Sequence, residues 1–369
     1  MTFICEKSVL CEAISNVSKA TTTKSAISAL EGIKLKLTAN TLELTGYDLD
    51  LGIRTSIPVK SNDSGEWIIN ARLFGEIARK MPSGEITTEI DEALNVKITG
   101  NQTEYSISSI PADEYPDLPE YSNESRITIK QSLLKSMIQQ TIYAVAINDN
   151  KPILTGELFD ISADGDFNLV AIDGFRMAIR TEKTNISTAD KFVVPSKALN
   201  EVSRLLKDDD DEKQCDIYTT GRHIVFDMNG YLVFSRLLEG EFHNYKASVP
   251  QEHSTQAEIG VKEMLDCLER CSLLINEKNK APIRCNFTQD KLEIKCSTTI
   301  GSISEEIACK IEGNGFEIGL NNRFFYEALR ATECDKVLLQ MDGPTKPVKI
   351  MPSESQDFVF LLMPVQIRN

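Results

Sequence analysis

Three sets of charged side chains recur along this chain with the same spacing. They are Arg72, Glu76 and Arg79; Lys197, Glu201 and Arg204; and Arg323, Glu327 and Arg330. In each, a basic residue is followed by Glu four positions on and by Arg three further. Glu76 and Glu201 are 125 residues apart, and Glu201 and Glu327 are 126 apart. On a helix, positions i, i+4 and i+7 share one face, so each set forms an exposed stripe. Lysine and arginine so displayed can contact phosphate oxygens, which hold a nucleic acid in place without reading its sequence. One such stripe is an ordinary solvated helix face. Three at a fixed long period are copies of one structural unit.

Covalent chemistry has no comparable residue set. There is no G-x-x-x-x-G-K-[ST], and GNGFEIG (313–319) places its last glycine too late for G-x-G-x-x-G, so it reads as a turn between strands. His223, His243 and His253 lack metal-ligand spacing. No G-x-S-x-G elbow occurs. The DDDDE run at 208–212 reads as solvated loop acids. Nine cysteines are scattered without a C-x-x-C pair; Cys267 and Cys271, four apart, read as buried packing. The expectation is a non-enzyme with no cofactor and no metal. Unpaired cysteines point to a reducing cytoplasm, where the six N-x-S/T sequons carry no weight. MTFICEKSVL has no basic signal region, and the apolar run FVFLLMPV falls far short of the ~20 residues that span a bilayer.

The elements that carry the stripes repeat with them. A first helix opens each copy, from Ser8, Leu133 and Val261. The second helices lie in IINARLFGEIARKM (68–81), VVPSKALNEVSRLL (193–206) and IGLNNRFFYEALRA (318–331), each fed by a β-like run. In the first, Leu73, Phe74, Ile77 and Met81 are expected on the buried face. Strand alternation fills the remainder, as in KLKLTANTLELTGYDL and EITTEIDEALNVKITGNQTEYSIS. LELTGYDLDLGIR recurs as FNLVAIDGFRMAIR, with Arg54 and Arg180 126 apart; the third version, LEIKCSTTIGSISEEI, lacks the Asp and Arg. Each copy ends on an apolar strand, near Tyr105, Tyr231 and Phe358. Joints fall in the proline-bearing stretches 116–125 and 250–256. The expectation is an α+β protein of three tandem domains, 1–120, 121–251 and 252–369. Each would hold two helices on one side of a curved antiparallel sheet.

Charge follows the same division. The net charge of −15 argues against a simple basic nucleic-acid binder. The second helices and the middle first helix are nevertheless basic, while Asp48, Asp50, Asp113, Glu114, Asp117 and Glu120 lie outside the helices. Such a protein can hold a polyanion on one surface and repel it from the others. A protein-only repeat scaffold and an enzyme with an unrecognised site are the competing classes; the basic stripes oppose the first, and no residue set supports the second.

LVAIDGFRMAIR, KPILTGELFDI, FSRLLEGEFHNY and the terminal FVFLLMPVQI, together with the threefold layout, resemble the bacterial DNA polymerase III beta subunit family, the sliding clamps. The resemblance runs from Phe3 to about Ile367. It implies DNA-clamp domains in a head-to-tail homodimer: a closed ring of six domains that encircles duplex DNA, helices inward and sheets outward. It implies that Lys24, Arg72, Arg79, Lys80, Lys135, Lys197, Arg204 and Lys207 face DNA. The third domain, with Glu263, Asp266 and Glu269 on its first helix, contributes less.

The resemblance also implies a cleft between the second and third domains that takes short peptides. These would come from the DNA polymerase III alpha subunit, the clamp-loader delta subunit and other proteins with a clamp-binding motif. The matching positions are Leu154, Ile172, Gly174, Phe175, Arg176, Met177, Phe242, His243, Leu361, Met363, Pro364, Val365 and Gln366. Four depart from the family's usual residues: His243 from Pro, Phe175 from His, Ile172 from Thr and Gln366 from Arg. Arg368 and Asn369 extend past the usual end. The dimer seam maps to Tyr105 and Ile107 on one edge and Leu273 and Leu274 on the other. No membrane partner is implied.

Overall fold

The computed structural model describes residues 1–121, 126–147, 150–186, 188–210, 212–275 and 281–367. Asp211 of the acidic run, 122–125 of the first joint, and Arg368 with Asn369 lie outside the described residues.

The element order repeats. The first copy holds β1 (Thr2–Glu6), α1 (Lys7–Val17), β2 (Gly32–Thr38), β3 (Thr41–Tyr47), β4 (Leu51–Pro58), β5 (Ser64–Asn70), α2 (Ala71–Lys80), β6 (Glu85–Ile90), β7 (Asn95–Gly100), β8 (Thr103–Ser108) and the short β9 (Ile110–Pro111). The second holds β10 (Arg126–Lys130), α3 (Gln131–Thr141), β11 (Gly156–Ile161), β12 (Asp166–Ile172), β13 (Arg176–Lys183), β14 (Asp190–Pro195), α4 (Ser196–Leu205), β15 (Gln214–Thr220), β16 (His223–Met228), β17 (Tyr231–Arg236) and the short α5 (Tyr245–Ser248). The third holds β18 (Thr255–Gly260), α6 (Val261–Ser272), β19 (Ile283–Thr288), β20 (Lys291–Thr298), β21 (Gly301–Ala308), β22 (Lys310–Gly313), β23 (Glu317–Leu320), α7 (Asn322–Arg330), β24 (Lys336–Met341), β25 (Val348–Pro352) and β26 (Phe358–Leu362).

The expected single sheet per copy is not what forms. Each copy's strands divide into two half-sheets, and half-sheets of successive copies fuse edge to edge. The orders are β1-β6-β7-β8; β10-β15-β16-β17-β4-β3-β2-β5-β9; β14-β11-β12-β13-β26-β25-β24-β18-β22; and β21-β20-β19-β23. The fusions are the antiparallel pairs β17–β4 and β13–β26. Edge strands left bare would expose unpaired N–H and C=O groups, so pairing them across a joint satisfies both copies at once.

The described chain accordingly forms two compact units that do not follow the copies. One comprises Met1–Leu134 and Lys197–Leu237, the other Lys135–Ser196 and Leu238–Asn369. In the first, α1 packs on α2 and lies over β3 and β4, with Trp67 and Phe3 fully buried. In the second, α6 packs on α7 above a core containing Phe287, Phe325 and Phe360.

Strand alternation decides burial locally. In β2, Leu35 and Leu37 are buried, while Lys34 and Lys36 reach Glu66 at 3.0 and 3.1 Å. Helix α2 differs from expectation at one position. Phe74, Ile77 and Met81 are buried, but Leu73 is 42% exposed; Ala71 and Ala78 complete the inner face in its place.

The ladder also corrects the match of Arg54 with Arg180. Asp48 Oδ1 accepts from the backbone N of Asp50 and Leu51, as Asp173 Oδ1 accepts from Phe175 and Arg176. Leu49 and Gly174 both adopt positive φ, 78° and 86°. The hairpins therefore correspond at an offset of 125, which puts Ile179, and not Arg180, at the place of Arg54. A slip of one residue turns a side chain to the opposite face.

Candidate nucleic-acid interface and partner cleft

Asn70 opens α2, its side chain accepting from Leu73 N at 3.0 Å; Asn321 caps α7 in the same way from Phe324 N at 3.2 Å. Arg79 and Lys80 end α2, Arg204 lies in the last turn of α4 and Arg330 in that of α7, where cations suit the helix dipole. The repeated glutamates turn out to be partners of the stripe. Arg72 Nε meets Glu76 Oε1 at 3.1 Å, Arg204 Nη1 meets both Glu201 oxygens at 3.0 Å, and Arg323 Nε meets Glu327 Oε1 at 2.8 Å. Lys197 is paired with Asp48. Exposed pairs of this kind contribute only ~0.3–0.5 kcal/mol, so a phosphate can displace the carboxylate at little cost.

Lys24, Arg79, Lys80 and Lys207 are exposed and make no salt bridge among the described residues. Lys135 is half-buried on α3. Arg323 and Arg330 belong to the repeated pattern and lie outside the expected DNA-facing set; both are exposed on α7. On α6, Lys262 pairs with Asp266 at 3.1 Å and Tyr326 Oη donates to Glu269 at 2.7 Å, so that helix presents acid.

A cavity of about 690 Å³ lies where β13 meets β26, lined by Leu154, Ile172, Gly174, Arg176, Met177, Phe242, His243, Leu361 and Met363 from the expected set. This volume falls in the ordinary range of ligand pockets. Leu154, Ile172, Met177, Phe242 and Leu361 are buried, and Met363 is 42% exposed. Flexible thioethers and branched carbons give an adaptable apolar lining. Gly174 has open space beyond its Cα, which leaves backbone accessible to a ligand.

Polar groups that were not foreseen share the lining: Lys151, Glu241, Asn244 and Ser248, together with the apolar Ile153 and Pro347. His243 Nε2 lies 2.8 Å from Ser248 Oγ. No periodicity marks these residues, because loops and the short α5 bring them in.

Four expected residues do not line this cavity: Phe175, Pro364, Val365 and Gln366. Phe175 is exposed and its ring lies 6.3 Å from that of Phe324. Beyond Met363 the chain turns onto β23, where Val365 N donates to Gly319 O at 2.8 Å. A side chain at position 319 would collide with Val365 O, which accounts for the glycine.

Arg176 is 5% exposed and already committed. Its guanidinium pairs with Asp173 at 2.9 Å and with Glu327, and lies 4.3 Å over the Phe324 ring. Burial alone would push the Glu327 carboxyl up; hydrogen bonds from Arg176 and Arg323 outweigh it and hold it below the ordinary glutamate range.

The outer edges of β8 and β21 carry no strand partner among the described residues. Beside them Tyr105 is 37% and Leu273 78% exposed, while Ile107 and Leu274 are half-buried. Tyr105 and Leu273 are therefore not core residues of their own copies. Ile300, 59% exposed in the β20–β21 turn, was not foreseen.

Residues 1–119, 128–244 and 246–366 match the families described as DNA polymerase III beta subunit N-terminal, central and C-terminal domain. The beta sliding clamp of Bacillus subtilis is 30% identical across 99% of this chain and 100% of that relative. This chain belongs to the DNA polymerase III beta subunit family.

The fold agrees. A putative DNA polymerase III beta subunit from Eubacterium rectale superposes with a TM-score of 0.93 at 34% identity, covering 99% of both chains. The Bacillus subtilis sliding clamp gives 0.95 at 29% identity, covering 100% of both. The protein is a DNA sliding clamp of DNA polymerase III, and DNA and the polymerase are its partners; it is a non-catalytic subunit.

Among the described residues, no three His, Cys, Asp or Glu side chains come together as a metal site. Burial pushes the thiols of Cys5, to about 11, and of Cys285 upward, so they stay protonated packing groups. No helix among the described residues is long and apolar enough to cross a membrane.

Proposed function

We propose that two copies of this chain close head to tail into a ring of six domains that encircles duplex DNA in the cytoplasm and tethers the replicative polymerase. Three tandem domains, 1–120, 121–251 and 252–369, make up each half. The observation that carries this reading is the pattern of edges. Within the chain, the last strand of the second copy pairs with the first copy at β17–β4, and the last strand of the third pairs with the second at β26–β13. Among the described residues, the equivalent edges β8 and β21 have no strand on that side. A heterologous contact between β8 of one protomer and β21 of its partner repeats the same seam, and two such contacts close the assembly. Tyr105, Ile107, Leu273 and Leu274 supply the apolar surface it would cover.

Lys24, Arg72, Arg79, Lys80, Lys135, Lys197, Arg204 and Lys207, with Arg323 and Arg330, contact phosphates from the inner surface. Such contacts are weak, nonspecific and exchange with counterions, so the ring slides and topology retains it. The β13–β26 cavity takes extended peptides carrying a Gln followed by spaced Leu and Phe, from the polymerase alpha subunit, the clamp-loader delta subunit and other proteins with that motif. Retention on DNA is the test. Protein loaded onto nicked circular DNA is expected to co-elute with it and to be released when the circle is linearised. Equal retention on circular and linear DNA overturns encirclement.

A further inference from the structure

The two seams inside the chain are built alike, yet only one holds the cavity described above. Phe234 stands opposite Gly52 across the first seam, as Leu361 stands opposite Met177 across the second. Tyr115 is buried with Ala29, Tyr47 and Ile68. Phe242 is buried with Ile153, Ile172 and Val193, which hold the same places in the second copy. Both aromatics lie in the segment that links one copy to the next.

Beyond these aromatics the paths part. In the second seam Tyr245 turns aside, its hydroxyl donating to Asp160 at 2.6 Å, and the space between Met177, Leu361 and Phe242 stays open. In the first, the segment runs into the seam. Leu118 lies on Gly52 so closely that a Cβ there would be 2.5 Å from Leu118 Cδ2. The Tyr121 ring sits 5.2 Å from that of Tyr218 and 5.9 Å from that of Phe234. Tyr115 Oη donates to Thr45 O at 3.2 Å and anchors the segment. Methionine at position 52 would leave Leu118 no room, which explains the glycine.

We propose that the first seam is a second peptide cleft of the same construction, occupied by the chain's own segment 115–121. That segment presents what the open cleft is expected to take: spaced aliphatic and aromatic side chains on a stretch that is neither helix nor strand. Tethering gives it an effective concentration on the order of millimolar, so a partner peptide at micromolar concentration does not displace it. The outcome is one available site per chain. This inference rests on reading the open cavity as the partner cleft.

The test is peptide stoichiometry on the full-length protein, read by calorimetry with a short peptide carrying Gln and spaced Leu and Phe. The wild type is expected to bind one per chain. Leu118→Ala with Tyr121→Ser is expected to bind two, the second at least tenfold more weakly, and to become cleavable after Glu120 by a Glu-specific protease. The milder Tyr121→Ser, controlled by unchanged dimer mass and unchanged affinity at the first site, is expected to fall between one and two. A stoichiometry of one in both variants overturns the proposal, whether the segment is cleaved or stays protected. No binding to the wild type sinks the cleft reading instead.

Discussion

Strand β4 and strand β21 occupy the same place in their copies, but one has a neighbour and the other does not. In β4, Leu51, Gly52 and Ile53 are buried beneath β17. In β21 only Ile307 is buried, and Ile303 is half-exposed. The same contrast separates β17, with Val233 and Phe234 buried, from β8, with Tyr105 exposed. Both members of each pair alternate as strands do. What differs is the partner edge, and a bare edge bordered by Leu273 and Ile300 is the surface a second protomer would cover.

The largest expected effect comes from breaking the bare edge. Leu273→Asp with Leu274→Asp would place unpaired charge in the intermolecular seam, at a cost of roughly 3–5 kcal/mol or more. Sedimentation is expected to show folded monomers; a native dimer would mean that the seam lies elsewhere.

Breaking the paired edge has the opposite character. Phe234, 2% exposed at the β17–β4 seam, is expected to cost about 3–5 kcal/mol of folding stability when changed to Ala. Denaturant unfolding reads this loss, with association strength unchanged while the chain is folded. A variant that stays as stable as the wild type but dissociates would reverse the comparison.

A subtler contrast lies in the ladder itself. Ile33 and Ile283 are fully buried opposite Ile69 and Leu320, and the same place in the second copy holds Glu157 opposite Val194. Glu157 is fully buried; Thr141 Oγ1 donates to its Oε2 at 3.1 Å, and Oε1 has no partner among the described residues. Burial raises its pKa well above the ordinary 4.5. The folded protein then keeps a proton that the unfolded chain gives up, so stability falls as pH rises from about 4.5 toward the folded value. Glu157→Ile is expected to remove that slope and add about 1–3 kcal/mol at neutral pH. Parallel stability-against-pH curves for the two proteins would show the carboxyl to be ionised in the fold.

The smallest effect on structure is expected from a change that touches no β-strand edge. Arg72→Glu, Lys197→Glu and Arg204→Glu together are expected to lower the salt slope of DNA binding by about one unit per lost phosphate contact. Dimer mass is expected to stay the same. An unchanged slope would separate these stripes from the DNA.

Much of this was readable from residues alone. Period, helix placement, strand alternation and the basic stripes are properties of neighbouring positions, and they survive in any arrangement of the copies. The cavity-lining residues Leu154, Met177 and Leu361 were singled out through family resemblance, although polarity alone marked them as core. The rest depended on distant partners. Arg54 matches Arg180 by spacing but Ile179 by register, because hairpin loops set pairing to a single residue and one step inverts a face. Leu73 satisfies the helical period, yet two alanines pack in its place. The joint at 116–125 has linker composition, and Leu118 and Tyr121 fill a seam that no local pattern announces. Sequence by itself determined three copies with basic helices and alternating strands. Only tertiary structure decided which edges pair, which seam stays open and which edges remain bare, since backbone hydrogen bonds and packing are satisfied between segments a hundred or more residues apart.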